Sequence, residues 1–358
     1  TQLDTETVAG LAYNSAIHYY LAYNPNDGCG AIGSACPAGT GIPLQGLGEA
    51  DAEIQTAIAN NDSDILSLSF GGAEQAMVGT EFNASGYGME PLEFAALASE
   101  GVAVFVSSGD AGAEQCQVQN YQPAEDSVCA SYPATDPNVV AVGGTNSPIN
   151  SQGKFVGPLT GWGLQTTGGY SGSGGGVSAY FSLPWFQQSA KGITGSMRNI
   201  PDISLNGDGN TGTSVEMYAD PNTGAYGSPY FFTFGGTSVA TPEAAAMWAL
   251  VLQACSTQAT CRTATGAHSY RLGNPNAYFY KIYADAQQYK ATFYDVKFGN
   301  NAQMISCIKS PSDNPDPNAT PCPGPSIDPG YQANTGYDLV TGIGVPFARA
   351  LIHAVVGV

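Results

Sequence analysis

The sequence predicts an α/β domain with a mostly parallel central sheet and helices on both faces, and three observations predict it. Short apolar runs rich in β-branched and aromatic residues, at 16–22, 65–70, 102–107, 139–142 and 230–234, read as buried parallel strands. Helical patterns at 49–60, 91–100 and 239–254 lie between some of them, the alternation that a sheet covered by crossover helices requires. Gly and Pro punctuate the 358 residues evenly and no stretch reads as a linker, so one domain over 1–358 is expected. Its active site should lie at the carboxyl ends of the strands. Residues 256–329 read as loop-rich, 311–325 as irregular, and no internal repeat is visible.

Charge narrows the function classes. Ten Lys and Arg against 29 Asp and Glu give a formal charge of −19, too few cations to displace phosphate counterions, which excludes a nucleic-acid binder. A hydrophobic fraction of 43% excludes a disordered chain. At pH 3 to 4 most of the carboxylates would take up protons, so the composition suits a protein that works in acid. No apolar run is long enough for a membrane helix and Thr1 opens no signal peptide, so no membrane partner is expected and the chain reads as already processed. Eight Cys fall into four close neighbours, Cys29/Cys36, Cys116/Cys129, Cys255/Cys261 and Cys307/Cys322, which read as short-range disulfides of a secreted protein. Sequons stand at Asn61, Asn83 and Asn318.

The sharpest local signal is Phe234-Gly235-Gly236-Thr237-Ser238-Val239-Ala240-Thr241-Pro242, an aromatic strand turning through glycines into an Ala-rich helix. A Ser at such a turn is exposed for attack, and the helix N-terminus offers positive potential to an oxyanion. Gly-Thr-Ser-x-x-x-Pro resembles the nucleophile motif shared by subtilisins and the sedolisin, or serine-carboxyl peptidase, family. The histidines separate the two. His18 lies in an apolar run, and His268 and His353 lie after Ser238, so no His stands ready as base. A carboxylate base, matched to work near pH 3 to 5, is the better expectation.

Further segments resemble the sedolisins. Ser107-Ser108-Gly109-Asp110-Ala111-Gly112 is similar to the family segment whose Asp lines the oxyanion hole, a role that needs the carboxyl protonated. Tyr132-Pro133-Ala134 and Ala141-Val142-Gly143-Gly144-Thr145 resemble the strand and turn that follow it. Ser173, Gly174 and Gly175, ahead of Gly176, resemble the glycine-rich wall of the substrate cleft, and with Ser69 and Gly71 their backbone is expected to hold substrate as an added strand. Pro201-Asp202-Ile203-Ser204 matches a segment read as structural. Tyr294-Asp295-Val296, 334–338 and Thr341-Gly342-Ile343-Gly344 resemble the family's calcium site. The resemblance implies Ca²⁺ held by the Asp295 and Asp338 carboxylates and the carbonyls of Val296, Asn334 and Gly336, with Asn334 where the family usually has Gly. A subtilisin-like fold with a C-terminal calcium-binding region follows.

The family also places a Glu and an Asp four residues apart on one helix, and two placements compete. Glu49 and Glu53 have the spacing but end in Glu, whereas Leu3-Asp4 running into Val8-Ala9-Gly10 resembles the family's Leu-Asp segment. Element order favours Asp4, since a strand and a helix can follow it before 65–72, and Glu49 and Glu53 then read as solvent-side. The partner Glu would precede Thr1, so a smaller N-terminal chain of the same precursor is expected to supply it, together with the first sheet strand. The family further implies a propeptide that is removed. The expected function is a secreted, acid-acting serine-carboxyl endopeptidase with Ser238 as nucleophile, Asp4 handling its proton and Asp110 in the oxyanion hole, acting on protein or peptide substrates. A tripeptidyl-peptidase of the same family, and a non-catalytic binding protein that keeps the fold, are the alternatives. Extracellular acid is the expected location ahead of a lysosome-like compartment.

Overall fold

The computed structural model describes residues 2–20, 46–79, 91–115, 129–152, 154–163, 171–219, 226–262, 268–305 and 326–357. Its helices are α1 (Gln2–Leu11), α2 (Gly46–Asn60), α3 (Pro91–Ser99), α4 (Thr237–Thr257), α5 (Asn276–Ala284), α6 (Ala286–Thr292) and α7 (Ala348–Val356). The strands that place the site are β1 (Ile65–Leu68), β2 (Gly72–Ala73), β3 (Ala103–Ser107), β4 (Ser131–Tyr132), β5 (Val140–Asn146), β6 (Thr160–Gly161), β7 (Gly176–Ser182), β8 (Met197–Ile200), β9 (Ile203–Asn206), β10 (Thr213–Ala219) and β11 (Tyr226–Phe234).

β1, β3, β5 and β9 pair in parallel in that order, and β6 adds an antiparallel edge to β5. The mostly parallel sheet is therefore present, and β3 shows why its sequence reads as a continuous apolar run. Ala103 and Phe105 pack on one side with Ala244, Trp248 and Val251 of α4, whereas Val104 and Val106 pack on the other with Ile54 of α2 and Phe94 and Leu97 of α3. Successive side chains alternate between two buried faces, so neither face calls for a polar residue. The Pro201–Ser204 segment is structural, as expected. Asp202 pairs with Arg198 at 2.6 Å with neither side chain exposed, and Asp202 also accepts from the Ala141 N–H and the Tyr280 hydroxyl.

Three elements differ from the sequence reading. Residues 16–20 form no strand. His18 and Tyr20 bind Asp62 ahead of β1 through their side chains, at 3.2 and 2.6 Å, and the segment lines a cavity with β1 without pairing to it, while 21–22 lie outside the described residues. Among the described residues nothing pairs with the outer edge of β1. The 230–234 run belongs to β11, which is antiparallel to β10 and half-exposed. Its aromatics Tyr230, Phe232 and Phe234 stack along one face, with centroids 5.0 and 6.4 Å apart, while Phe231 points out at 71% exposure. Aromatic residues at every other position look like a buried run until their partner is known. Within 256–329, read as loop-rich, α5 and α6 form, and Asp285 caps α6 by accepting from the Gln287 and Gln288 N–H groups. Cys255 and Cys261 are joined as expected. The other three pairings each involve a cysteine outside the described residues, as does the 311–325 segment.

Candidate active site

Three chain segments deliver one functional side chain each. β1 runs into Ser69, Phe70 and Gly71, β3 into the turn that carries Asp110, and β11 into Gly235 and Gly236, after which α4 opens with Thr237 and Ser238. β1 and β3 are parallel neighbours, so their carboxyl ends lie side by side. Gly236 makes the turn at a φ of +102°, and a Cβ there would stand 2.8 Å from Asp110 Oδ2. Only glycine meets both demands.

Ser238 sits in the first turn of α4, where helix N–H groups lack intrahelical partners and the dipole is positive. Pro242 lies four residues on and has no N–H to give the Ser238 carbonyl. Ser69 Oγ approaches that carbonyl instead, at 3.2 Å, and Ser238 Oγ donates to the Ser69 carbonyl at 3.4 Å. Ser69 Oγ is also in close hydrogen-bond contact with Asp4 Oδ1, from α1. The single proton of the Ser69 hydroxyl serves both Asp4 Oδ1 and the Ser238 carbonyl. Ser69 Oγ therefore joins the Asp4 carboxyl to the main chain of Ser238, while the Ser238 hydroxyl turns to the Ser69 carbonyl.

Asp110 closes the other side. The Thr237 N–H and hydroxyl both donate to Oδ1, at 2.7 and 2.8 Å, and the Gly109 N–H donates to the Thr237 hydroxyl at 3.2 Å. The carboxyl is open to the cleft, but the protein packed around it raises its pKa, and the Thr237 bonds offset only part of that. Since both donors reach Oδ1, the proton of the acid form rests on Oδ2, where it can be donated to a substrate oxygen.

Ser173, Gly174 and Gly175 lie directly behind this turn. Their N–H groups donate to the carbonyls of Trp162, Gly109 and Gly112, at 2.8, 2.7 and 3.2 Å, and Ser108 Oγ donates to the Gly174 carbonyl at 2.7 Å. A Cβ on Gly174 would overlap the Ser108 carbonyl oxygen, and one on Gly175 the Leu339 carbonyl oxygen. In this conformation the three residues back the Asp110 turn, with the Gly174 and Gly175 N–H groups bonded to it and the Ser173 N–H bonded to Trp162.

A cavity of about 1090 Å³ opens beside Ser238, lined by Asp4, Tyr19, Ser69 and Glu53 among others. Glu53, read from sequence as solvent-side, is half-buried and turns toward this cavity, because α2 packs its Ile54 and Ala57 into the core and carries the next face with it. The Glu49 side chain lies outside the described residues.

The 334–338 turn lies between two carboxylates. The Gly336 N–H donates to Asp295 Oδ1 and the Asn334 N–H to Asp338 Oδ2, both at 2.9 Å, and Lys297 Nζ stands 3.3 Å from Asp295 Oδ2. Asp338 is 7% exposed and also accepts from the Val340 and Thr341 N–H groups. Two hard carboxylates converging on one turn fit the oxygen chemistry of Ca²⁺. No group of three His, Cys, Asp or Glu side chains gathers among the described residues, so the remaining ligands would be carbonyls, as Val296, Asn334 and Gly336 could supply. Asn334 does not have a positive φ, so it carries no strain where the resemblance would place Gly.

Sequence reasoning missed the side-chain role of Ser69, the use of Thr237 and Pro242, and Glu74. Glu74 is buried and accepts from Ser178 Oγ at 2.5 Å and the Ala179 N–H at 2.8 Å, which ties the chain after Gly71 to β7, the strand after Gly175. A lone acid shortly after the Ser69–Gly71 turn was the available signal.

Comparisons with known proteins agree with this geometry. The model of the subtilase family matches residues 3–268. Sedolisin from Pseudomonas sp. (strain 101) is 32% identical over 248 residues, 68% of this chain and 36% of that protein. Kumamolisin from Bacillus sp. (strain MN-32) is 29% identical over 260 residues, 70% of this chain and 39% of that protein. The chain therefore spans little more than a third of the length of these relatives. Among solved structures, Pseudomonas sedolisin, a serine-carboxyl proteinase complexed with two molecules of pseudo-iodotyrostatin, superposes with a TM-score of 0.60 at 30% identity, covering 84% of this chain and 67% of that one.

Proposed function

The chain belongs to the subtilase family and is a homologue of the sedolisins, and from that premise we propose that it is an acid-acting serine endopeptidase that hydrolyses peptide bonds in proteins or peptides. The observation that carries the proposal is that Ser238, at the start of α4, lies against Ser69, whose hydroxyl binds both Asp4 and the Ser238 main chain, on one side and beside the raised-pKa carboxyl of Asp110, held by Thr237, on the other.

In the proposed reaction Ser238 Oγ attacks the substrate carbonyl. Its proton passes to a carboxyl pair of which Asp4 is one member and from there to the leaving amine as the C–N bond breaks, after which water releases the acyl group from Ser238. Asp110, protonated on Oδ2, donates to the oxygen that becomes negative, and the α4 N-terminus adds its dipole. The backbone at 69–71, half-buried at Ser69 and Phe70 and exposed at Gly71, offers the substrate an edge to pair with. Asp295 and Asp338, with the carbonyls of Val296, Asn334 and Gly336, are proposed to hold a Ca²⁺ that neutralises two converging carboxylates and fixes the 334–338 turn. The −19 charge and the Cys255–Cys261 disulfide support a secreted protein in an acidic, oxidising setting. Ser238→Ala is expected to remain folded and to lose peptide hydrolysis at pH 3 to 4, with no labelling by a peptide aldehyde. Full activity in that variant would overturn the proposal.

A further inference from the structure

The geometry points to Gln2 and Glu6 as a clamp that fixes the orientation of Asp4 by making α1 act as a neighbouring strand to β10, an inference that rests on the peptidase reading above. Among the described residues β10 pairs with β11 on one side only, and Glu216 stands opposite Phe231 in that ladder. In an antiparallel ladder the N–H and C=O of alternate residues point together either to the partner or to the free edge. Those of Glu216 both turn to the free edge, where α1 satisfies them. The Glu216 N–H donates to Glu6 Oε2 at 3.0 Å, and Gln2 Nε2 donates to the Glu216 carbonyl. Gln2 Nε2 uses its other proton on Glu6 Oε1, at 2.8 Å.

The three bonds close a ring in which one side-chain amide donor and one carboxylate acceptor replace the peptide group of an absent strand. Each of the two amide protons and each carboxylate oxygen has a partner, so the ring fixes the rotation of α1 as well as its distance from β10. Gln2 and Glu6 are spaced i, i+4 and share one helix face, and Asp4 lies between them on another. That other face brings Asp4 to Ser69, while α1 packs along α4. The clamp also grips the hairpin whose second strand, β11, ends at Phe234, four residues before Ser238. One hairpin therefore sets both the Ser and the helix that carries its acid. Gln2 and Glu6 reach no reacting atom, and their role is positioning.

The test compares wild type, Glu6→Ala, Gln2→Ala and the double variant in steady-state peptide hydrolysis, with melting temperature measured alongside. For Glu6→Ala kcat should fall about tenfold, within the ~10²-fold that a misplacement of about 1 Å can cost, and KM should stay within about twofold. The double variant should lose no more than about what Glu6→Ala loses alone, because the ring is one unit. Glu6→Gln keeps an acceptor for the Glu216 N–H and gives up the bond from Gln2, so its kcat should fall between the two, which keeps the inference open to test if Glu6→Ala does not fold. A kcat within twofold of wild type in Glu6→Ala and Glu6→Gln, or a loss confined to KM or to melting temperature, overturns the clamp while leaving the peptidase reading intact. A wild type that neither hydrolyses peptide nor takes the aldehyde overturns that reading and the clamp with it.

Discussion

Asp110 shows how one side chain can bind the site to acid. The protein packed around it raises its pKa, so the proton that the proposed reaction asks it to donate is present in acid and is lost as pH rises through the raised value. Asp110→Ala removes the donor and should lower kcat by about 10²- to 10³-fold. Asp110→Asn keeps a donor that cannot ionise, so it should retain more activity than the Ala variant and decline less between pH 4 and 7, as a kcat profile over that range would show. Identical profiles for Asn and wild type would remove Asp110 from the acid dependence. At this scale the sequence was legible where chemistry needs particular neighbours: Ser238 in its glycine turn and Asp110 in another. Ser69 was legible only as backbone. Its hydroxyl gains a role because Pro242, distant in the chain, leaves the Ser238 carbonyl open, and single-residue patterns do not record such pairings.

At the scale of elements, the strands at the sheet centre could be read because burial on both faces leaves an unbroken apolar run. β11 could not be placed, since a half-exposed aromatic hairpin strand has nearly the same composition. α5 and α6 were lost among polar residues because their cap, Asp285, serves one as the end and the other as the start. The 334–338 turn is the element whose prediction is sharpest. Gly336 has a φ of +82°, and a Cβ there would stand 2.7 Å from the Tyr283 hydroxyl, so the turn is shaped by its backbone and held by the two flanking carboxylates. If Ca²⁺ bridges Asp295 and Asp338, chelation should lower the melting temperature by several degrees, and restored Ca²⁺ should recover it, through linkage of about RT ln(1 + [L]/Kd). Asp338→Asn should reduce that response to chelator. A chelator-insensitive wild type would remove calcium from the account and leave the turn to its amide bonds.

For the molecule as a whole, the deciding quantity is how its buried carboxyls respond to pH. Burial pushes Glu243 up to about 7 and Asp136 to about 6. It also raises Glu74, whose hydrogen bonds to Ser178 and Ala179 offset part of the cost. Among the described residues none of the three is paired with a cation, and Arg198 acts on Asp136 as a minor influence. A carboxyl whose folded pKa lies above its unfolded value binds its proton more tightly in the fold. Its contribution to stability is then complete below about pH 4 and is lost as pH rises through 6 to 7. For Glu243 and Asp136 together the loss is on the order of 3–6 kcal/mol at about 1.4 kcal/mol per unit. Self-repulsion from the −19 charge acts in the same direction, since it too grows as carboxylates ionise. The melting temperature, measured at fixed calcium, should therefore be higher at pH 4 than at pH 7, by about 5 °C for a chain of this size. Glu243→Gln, which cannot ionise, should flatten that slope. An equal or higher melting temperature at pH 7 would mean that these carboxyls find compensation in the fold, and the proposed acid action would then rest on the chemistry of the site alone.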